Sequence, residues 1–198
     1  VVIAASTHPG EDEIVLEAHQ GLRNFFPNLL TVIVPRHPSR GPAIAALCTA
    51  AKAKVAVRSR DELPDVETDI YVADTMGELG LFYRLSPVVV MGGSFVKHGG
   101  QNPIEAIKLG AAVVHGPHVF NFADVYSALD RAGGARQIND MENLIRQLGQ
   151  WIANESARRT VVDTGQRVVD QLGGGLDRTL AALEPYLLQL RLERGDDA

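Results

Sequence analysis

The chain has one cysteine, Cys48, in 198 residues, so no internal disulfide can form. Folds stapled by disulfides are excluded, and a reducing compartment is expected. Cys48 lies among Ala45, Ala46, Leu47, Ala50 and Ala51, the surroundings of a buried, inert thiol rather than of a nucleophile. Long apolar runs are lacking as well: none approaches the ~18 to 20 residues of a membrane span, and no basic and apolar leader opens the chain. The domain itself is therefore expected to be soluble. Positive charge is not in excess, since 19 Lys and Arg face 24 Asp and Glu for a net charge of -5. Nucleic acid is not expected as a partner, nor is broad binding to anionic lipid, because both need a net basic surface. Neither a P-loop nor a GxGxxG spacing occurs. What is present, 45% hydrophobic and 22% charged residues, suffices for the core of one ordinary domain.

Short apolar runs alternate with helical patterns from the first residue. Val1 to Ser6, Leu30 to Pro35, Val55 to Arg58, Ile70 to Ala73, Val88 to Met91 and Ala112 to His115 read as six strands of a parallel sheet. Helices are expected over Glu11 to Phe26, Gly41 to Ala53, Gly77 to Tyr83, Asn102 to Leu109 and Asn121 to Ala132, the first with Ile14, Leu16, Leu22 and Phe25 on its buried side. The alternation predicts an α/β fold, a Rossmann-like doubly wound parallel sheet. After Gln137 the pattern turns helical, over Asp140 to Asn154, Glu155 to Leu172 and, beyond the Gly173-Gly174-Gly175 break, Leu176 to Leu192. The expected organisation is a single domain, with an α/β core over 1–138, a helical tail over 139–192 and a frayed terminus over 193–198. Because a buried strand begins at Val1, the chain is expected to be part of something longer.

In an open parallel sheet, ligands bind beyond the carboxyl ends of the strands. Five such ends carry unusual residues. The run from Val90 through Gly92-Gly93-Ser94, Lys97-His98 and Gly99-Gly100-Gln101 to Asn102-Pro103-Ile104-Glu105 leaves a strand, passes two glycine pairs and enters a helix. Free N–H groups at a helix start suit a phosphate, although a tight turn capped by Asn102 explains the same residues. Asp74-Thr75-Met76-Gly77-Glu78 offers a second amide cradle, or else a capping box of Thr75 with Glu78. In Pro35-Arg36-His37-Pro38, Arg36 suits a phosphate and His37 an acid, a base or a packing role. His8 follows the first strand, ahead of Glu11, Asp12 and Glu13, acids that a helix dipole alone accounts for. His115 and His118 stand three apart with no third ligand at helical spacing, and Gly116-Pro117 breaks their register, so no metal is expected. Convergence of all five on one sheet edge is what points to a site.

Taken in order, Ala5-Ser6-Thr7-His8-Pro9-Gly10-Glu11, Pro35-Arg36-His37-Pro38, Asp74-Thr75-Met76-Gly77-Glu78-Leu79, Gly92-Gly93-Ser94, Gly99-Gly100-Gln101-Asn102-Pro103-Ile104-Glu105 and Gly116-Pro117-His118-Val119-Phe120-Asn121-Phe122 resemble the C-terminal half of the bacterial lipid A Kdo (3-deoxy-D-manno-octulosonic acid) transferases. The resemblance runs from Val1 through Gly174-Gly175-Leu176-Asp177-Arg178-Thr179. It implies the C-terminal half of a GT-B glycosyltransferase, with CMP-Kdo as donor, a lipid A precursor (lipid IVA) as acceptor and no cofactor or metal. Pro35 and Arg36, Met76, Gly77 and Glu78, and Asn102, Pro103, Ile104 and Glu105 would surround the CMP moiety, Glu78 or Glu105 accepting from ribose or base. His8, Gly93, Ser94, Lys97 and His118 are candidates for facing the Kdo carboxylate or the cleft.

The resemblance also implies what this stretch does not carry: an amino-terminal half holding the membrane anchor, the acceptor surface and the catalytic base. The chain is then expected to bind donor but not transfer sugar alone, and the parent protein to lie at the cytoplasmic face of the bacterial inner membrane. Gln101 stands where relatives are expected to carry His. Two other readings stay open, another GT-B enzyme such as an epimerase or a UDP-sugar transferase, and a non-catalytic nucleotide-sensing module.

Overall fold

The computed structural model describes residues 1–173 and 182–186. The helix expected over Leu176 to Leu192, the Gly174 to Thr179 segment and the terminus 193–198 lie wholly or partly outside the described residues. Strands β1 (Val2–Thr7), β2 (Thr31–Pro35), β3 (Val55–Val57), β4 (Ile70–Val72), β5 (Val88–Met91), β6 (Ala112–His115) and β7 (Arg136–Gln137) form one sheet in the order β3-β4-β2-β1-β5-β6-β7, with every pairing parallel. Among the described residues seven strands are present where six were expected. The addition, β7, is two exposed residues pairing Arg136 with Val114 and Gln137 with His115.

The first six strands are apolar over most of their length, with polar residues only near their ends, because both sheet faces are covered. Val2, Ala4, Val88 and Val90 point into one layer with α1 (Glu11–Arg23) and α2 (Gly41–Ala50). Ile3, Ala5, Val89 and Met91 point into the other with α3 (Leu79–Leu85), α4 (Ile104–Lys108) and α5 (Ala123–Ala132). Two further helices close the fold. In α6 (Met141–Ala153), capped by Asp140 accepting from the Asn143 amide at 2.8 Å, Leu144, Leu148 and Trp151 recur at helical spacing and pack into the first layer. The last, α7 (Glu155–Gly173), lies against α4, α5 and α6 and sends Val169 into the second layer. Cys48 is fully buried, and burial pushes its thiol up to about 11, which keeps it protonated.

The order of the strands positions the site. From β1 the chain winds out through β2 to β3, and it returns to the other side of β1 as β5. The β1/β5 boundary is therefore the switch point of the sheet, where a crevice opens beyond the carboxyl ends. Two backbone features shape it. Ser6 takes a left-handed φ of 56° at the irregularity in the β1–β2 register, and a Cβ on Gly92 would meet the Ser6 carbonyl oxygen at 2.3 Å. Only glycine lets the β5 loop cross the end of β1 so closely.

Candidate functional site

Since every strand runs the same way, all five expected segments reach one edge. At its centre, the His8 ring stacks on His98 with centroids 3.6 Å apart and meets His37 edge-on at 6.3 Å. His8 Nε2 lies 3.1 Å from Gln101 Nε2. Arg36 and His37 are exposed at the end of β2, and Arg36 is fixed only by its backbone N–H donating to the Thr7 carbonyl at 3.0 Å. Among the described residues Arg36 makes no ion pair, and Lys97 makes none either. Arg40, by contrast, is engaged by Asp12 and by the Thr7 carbonyl. Burial first, then the neighbouring His98, His37, Arg40 and Arg36, holds His8 down at about 4, so it is neutral at physiological pH.

Towards β3, Arg58 holds Glu78 at two points, Nε at 3.2 Å and Nη2 at 2.9 Å, and the Thr75 hydroxyl donates to the same carboxylate. These bonds, Arg58 foremost, keep Glu78 below the usual carboxylate range. The capping box does not form, because α3 starts only at Leu79 and Gly77 is left-handed at φ 83°. Met76 and Gly77 stand exposed at the edge. In the neighbouring loop Asn102 Oδ1 accepts the Ile104 amide at 3.0 Å and Pro103 is buried, while Glu105 is exposed with Oε1 close over Gly80 of α3. The start of α4 thus lies against α3, the helix that follows the Met76–Glu78 segment.

Two expected cleft residues turn inward instead. Ser94 is fully buried: its hydroxyl donates to the Met91 carbonyl at 2.5 Å and accepts the Gly116 amide at 2.7 Å. The Gly93 amide donates to the Glu11 carboxylate at 2.7 Å. The reason is the tight crossing at Gly92, which drives the following residues under the β6 loop. His118 is half-buried, its amide donating to the Ser94 carbonyl at 2.9 Å, and Lys97 is exposed. His115 is fully buried with Nε2 3.0 Å from Asp130 and the ring against Tyr126, whose hydroxyl donates to the Gln101 carbonyl at 2.7 Å. His115 thus belongs to the support of the loop. No group of three or more His, Cys, Asp or Glu among the described residues is arranged to hold a metal.

Sequence reasoning passed over Glu11, Asp12, Arg40 and Arg58. For the two acids a signal existed. Glu11 falls in line with Val15, Ala18 and Leu22 on the buried stripe of α1, Asp12 with Leu16 and His19, whereas Glu13 and Glu17 fall on the exposed face. The arginines gave none, because their partners lie on other elements, Asp12 in α1 and Glu78 in the loop after β4.

No protein-family model matches the chain. It is 39% identical over 186 residues to the 3-deoxy-D-manno-octulosonic acid transferase of Haemophilus influenzae, a match covering 93% of this chain and 44% of that protein. Among solved structures, the C-terminal CMP-Kdo binding domain of WaaA from Acinetobacter baumannii superposes with a TM-score of 0.81 at 31% identity, covering 85% of this chain and 88% of that one. The chain belongs to the Kdo transferase family. It spans less than half the length of the curated family members it matches. Its fold is that of the C-terminal half of a GT-B glycosyltransferase. A spinosyn rhamnosyltransferase, at 19% identity and a TM-score of 0.58 over 91% of this chain, shares that fold alone. Within this Kdo transferase chain, the edge presents Arg36 and Lys97 as cations without an ion-pair partner among the described residues, beside two exposed histidines, His37 and His98.

Proposed function

We propose that the chain is the donor-binding part of a glycosyltransferase that moves Kdo from CMP-Kdo to a lipid A precursor in lipopolysaccharide biosynthesis. The observation that carries this is its likeness, over 88% of the other chain, to the C-terminal CMP-Kdo binding domain of WaaA. The site geometry agrees with a donor bearing two anionic groups. Arg36, exposed and backbone-anchored beside the switch point, offsets the donor phosphate. Glu78, held ionised by Arg58, and Glu105, close over Gly80 of α3, offer acceptors for ribose or base. Met76 and Gly77, exposed after β4, and the Asn102–Ile104 turn after β5 offer further contacts from the same edge, as does Pro35 at the end of β2. Lys97, His98 and His118 flank the other side, where the Kdo carboxylate would lie.

In the reaction, an acceptor hydroxyl oxygen bonds to the Kdo anomeric carbon as the bond from that carbon to the phosphate oxygen breaks, and CMP leaves. The charge developing on the phosphate is met by Arg36 and nearby amides, with no metal required. The hydroxyl proton goes to a base outside this chain, which therefore binds donor without transferring it. The whole of 1–198 acts as one nucleotide-sugar-binding domain. Acceptor and membrane contacts, at the cytoplasmic face of the inner membrane, belong to another part of the parent protein. No helix among the described residues is long and apolar enough to cross a membrane. The test mixes the chain with CMP-Kdo and lipid IVA, and follows donor binding and product separately. Saturable donor binding with no product is expected; absence of donor binding would overturn the proposal.

A further inference from the structure

Glu11 is a buried acid, 2% exposed, in the first turn of α1. Its carboxylate accepts four backbone N–H groups: His8 at 2.9 Å and Gly93 at 2.7 Å on Oε2, Ser94 and Phe95, both at 3.0 Å, on Oε1. Three of these amides are consecutive and belong to the glycine loop that leaves β5 at the switch point. Successive amides of such a loop form a concave cradle for an anion, and in nucleotide-binding sheets the anion is a ligand phosphate. Here the cradle already holds an anion, and the anion is part of the chain.

Two further observations bear on the same place. The cradle is roofed: a Cβ on Gly93 would meet His8 Cδ2 and Gln101 Nε2, both at 3.4 Å, and the His8 ring is itself covered by His98. Beside it Asp12 is also buried and engaged, accepting from the Thr7 hydroxyl at 2.7 Å and pairing with Arg40. A second phosphate arriving at the β1/β5 boundary would meet two buried carboxylates and no unengaged amide of the 93–95 loop.

We infer that Glu11 is a specificity-determining residue: its carboxylate fills the amide cradle after β5 in place of a second phosphate, so the edge takes a nucleotide carrying one phosphate and rejects pyrophosphate-linked ones. This rests on the donor-binding proposal for the nucleotide, but the closed cradle is a property of the chain alone.

The test titrates the full chain, without metal, with CMP, CDP and inorganic pyrophosphate, reading affinity by calorimetry and the Gly93, Ser94 and Phe95 amides by NMR. CDP should bind at least about tenfold more weakly than CMP, since placing like charges together is costly, and the three amide signals should not move with any of the three ligands. In Glu11→Gln the preference for CMP over CDP should fall towards one. CDP binding as tightly as CMP to the unaltered chain, with Gly93 and Ser94 shifting, would overturn the inference even where the variant fails to fold. Should neither nucleotide bind, the donor proposal fails, while pyrophosphate still decides the cradle: moving amides contradict its closure and still ones uphold it.

Discussion

Arg58 and Glu78 meet in a two-point ion pair across neighbouring strand ends, with both bonds at 3.2 Å or less. The pair fixes a carboxylate that would otherwise swing freely in an exposed loop, so its value lies in placement. A pair this open to solvent adds little to stability. Arg58→Ala should leave the melting temperature nearly unchanged yet weaken CMP binding about fivefold, which corresponds to about 1 kcal/mol. Lysine, lacking the planar fork, should restore little. Parallel melting and calorimetric curves check this; equal CMP affinity in both variants and the unaltered chain removes Glu78 from the site.

Arg36→Ala tests the phosphate contact. The side chain is exposed and only its backbone holds Thr7, so the fold should persist. A charge-assisted contact contributes roughly 1.5 to 3 kcal/mol, so CMP affinity should fall at least about tenfold. Asn102→Ala removes the acceptor for the Ile104 amide and should also weaken CMP, through disorder at the start of α4.

Ser94 and Gly92 set the loop that leads from β5 to Asn102. Ser94→Ala leaves the buried Gly116 amide without its acceptor, and denaturant unfolding should show a loss of about 1 to 3 kcal/mol. Gly92→Ala places a methyl 2.3 Å from the Ser6 carbonyl oxygen and should abolish the native fold or the loop. Gly77→Ala, with nothing within 4 Å, should cost only the strain of its left-handed backbone, about 1 to 2 kcal/mol.

Acid should weaken the fold through His19, buried with Nδ1 2.9 Å from the Thr31 hydroxyl and Nε2 without a partner. Burial, then Arg23, lowers it to about 4, from 6.5 in the unfolded chain. Between those values the unfolded state binds more protons, so the contribution is complete above pH 6.5 and is lost as pH falls towards 4. The slope is about 1.4 kcal/mol per pH unit. His19→Leu should reduce the slope of that part of the stability–pH curve, with His8, also held at about 4, supplying the remainder, and a curve of unchanged slope would show that His19 does not titrate with folding.

How legible the chain was follows from where each signal comes from. The first six strands were readable because both faces of each are buried, which writes apolar residues at successive positions instead of at alternate ones. The strand Arg136–Gln137 has no apolar residue and exists only through pairing with β6. Phe25 was expected on the buried side of α1, but the helix ends at Arg23, the Phe25 and Phe26 amides both turn back to the Leu22 carbonyl, and Phe26 packs instead, leaving Phe25 74% exposed. The loops were legible as a set, since parallel strands must deliver their ends to one edge. Which side chains face the edge was not legible. Ser94 turns inward because of the crossing at Gly92, and Glu11 was attributed to the helix dipole when its stripe placed it among buried residues. Pairings such as Arg58 with Glu78 depend on strand order, which no local pattern encodes.

The most direct measurement is a calorimetric titration of the chain with CMP, UMP and AMP in the absence of metal. Selective binding of CMP is the predicted result. Equal affinity for the three nucleotides, or none for any, would contradict a CMP-Kdo donor site in this chain and return its function to a different GT-B nucleotide-sugar enzyme or to a site completed elsewhere.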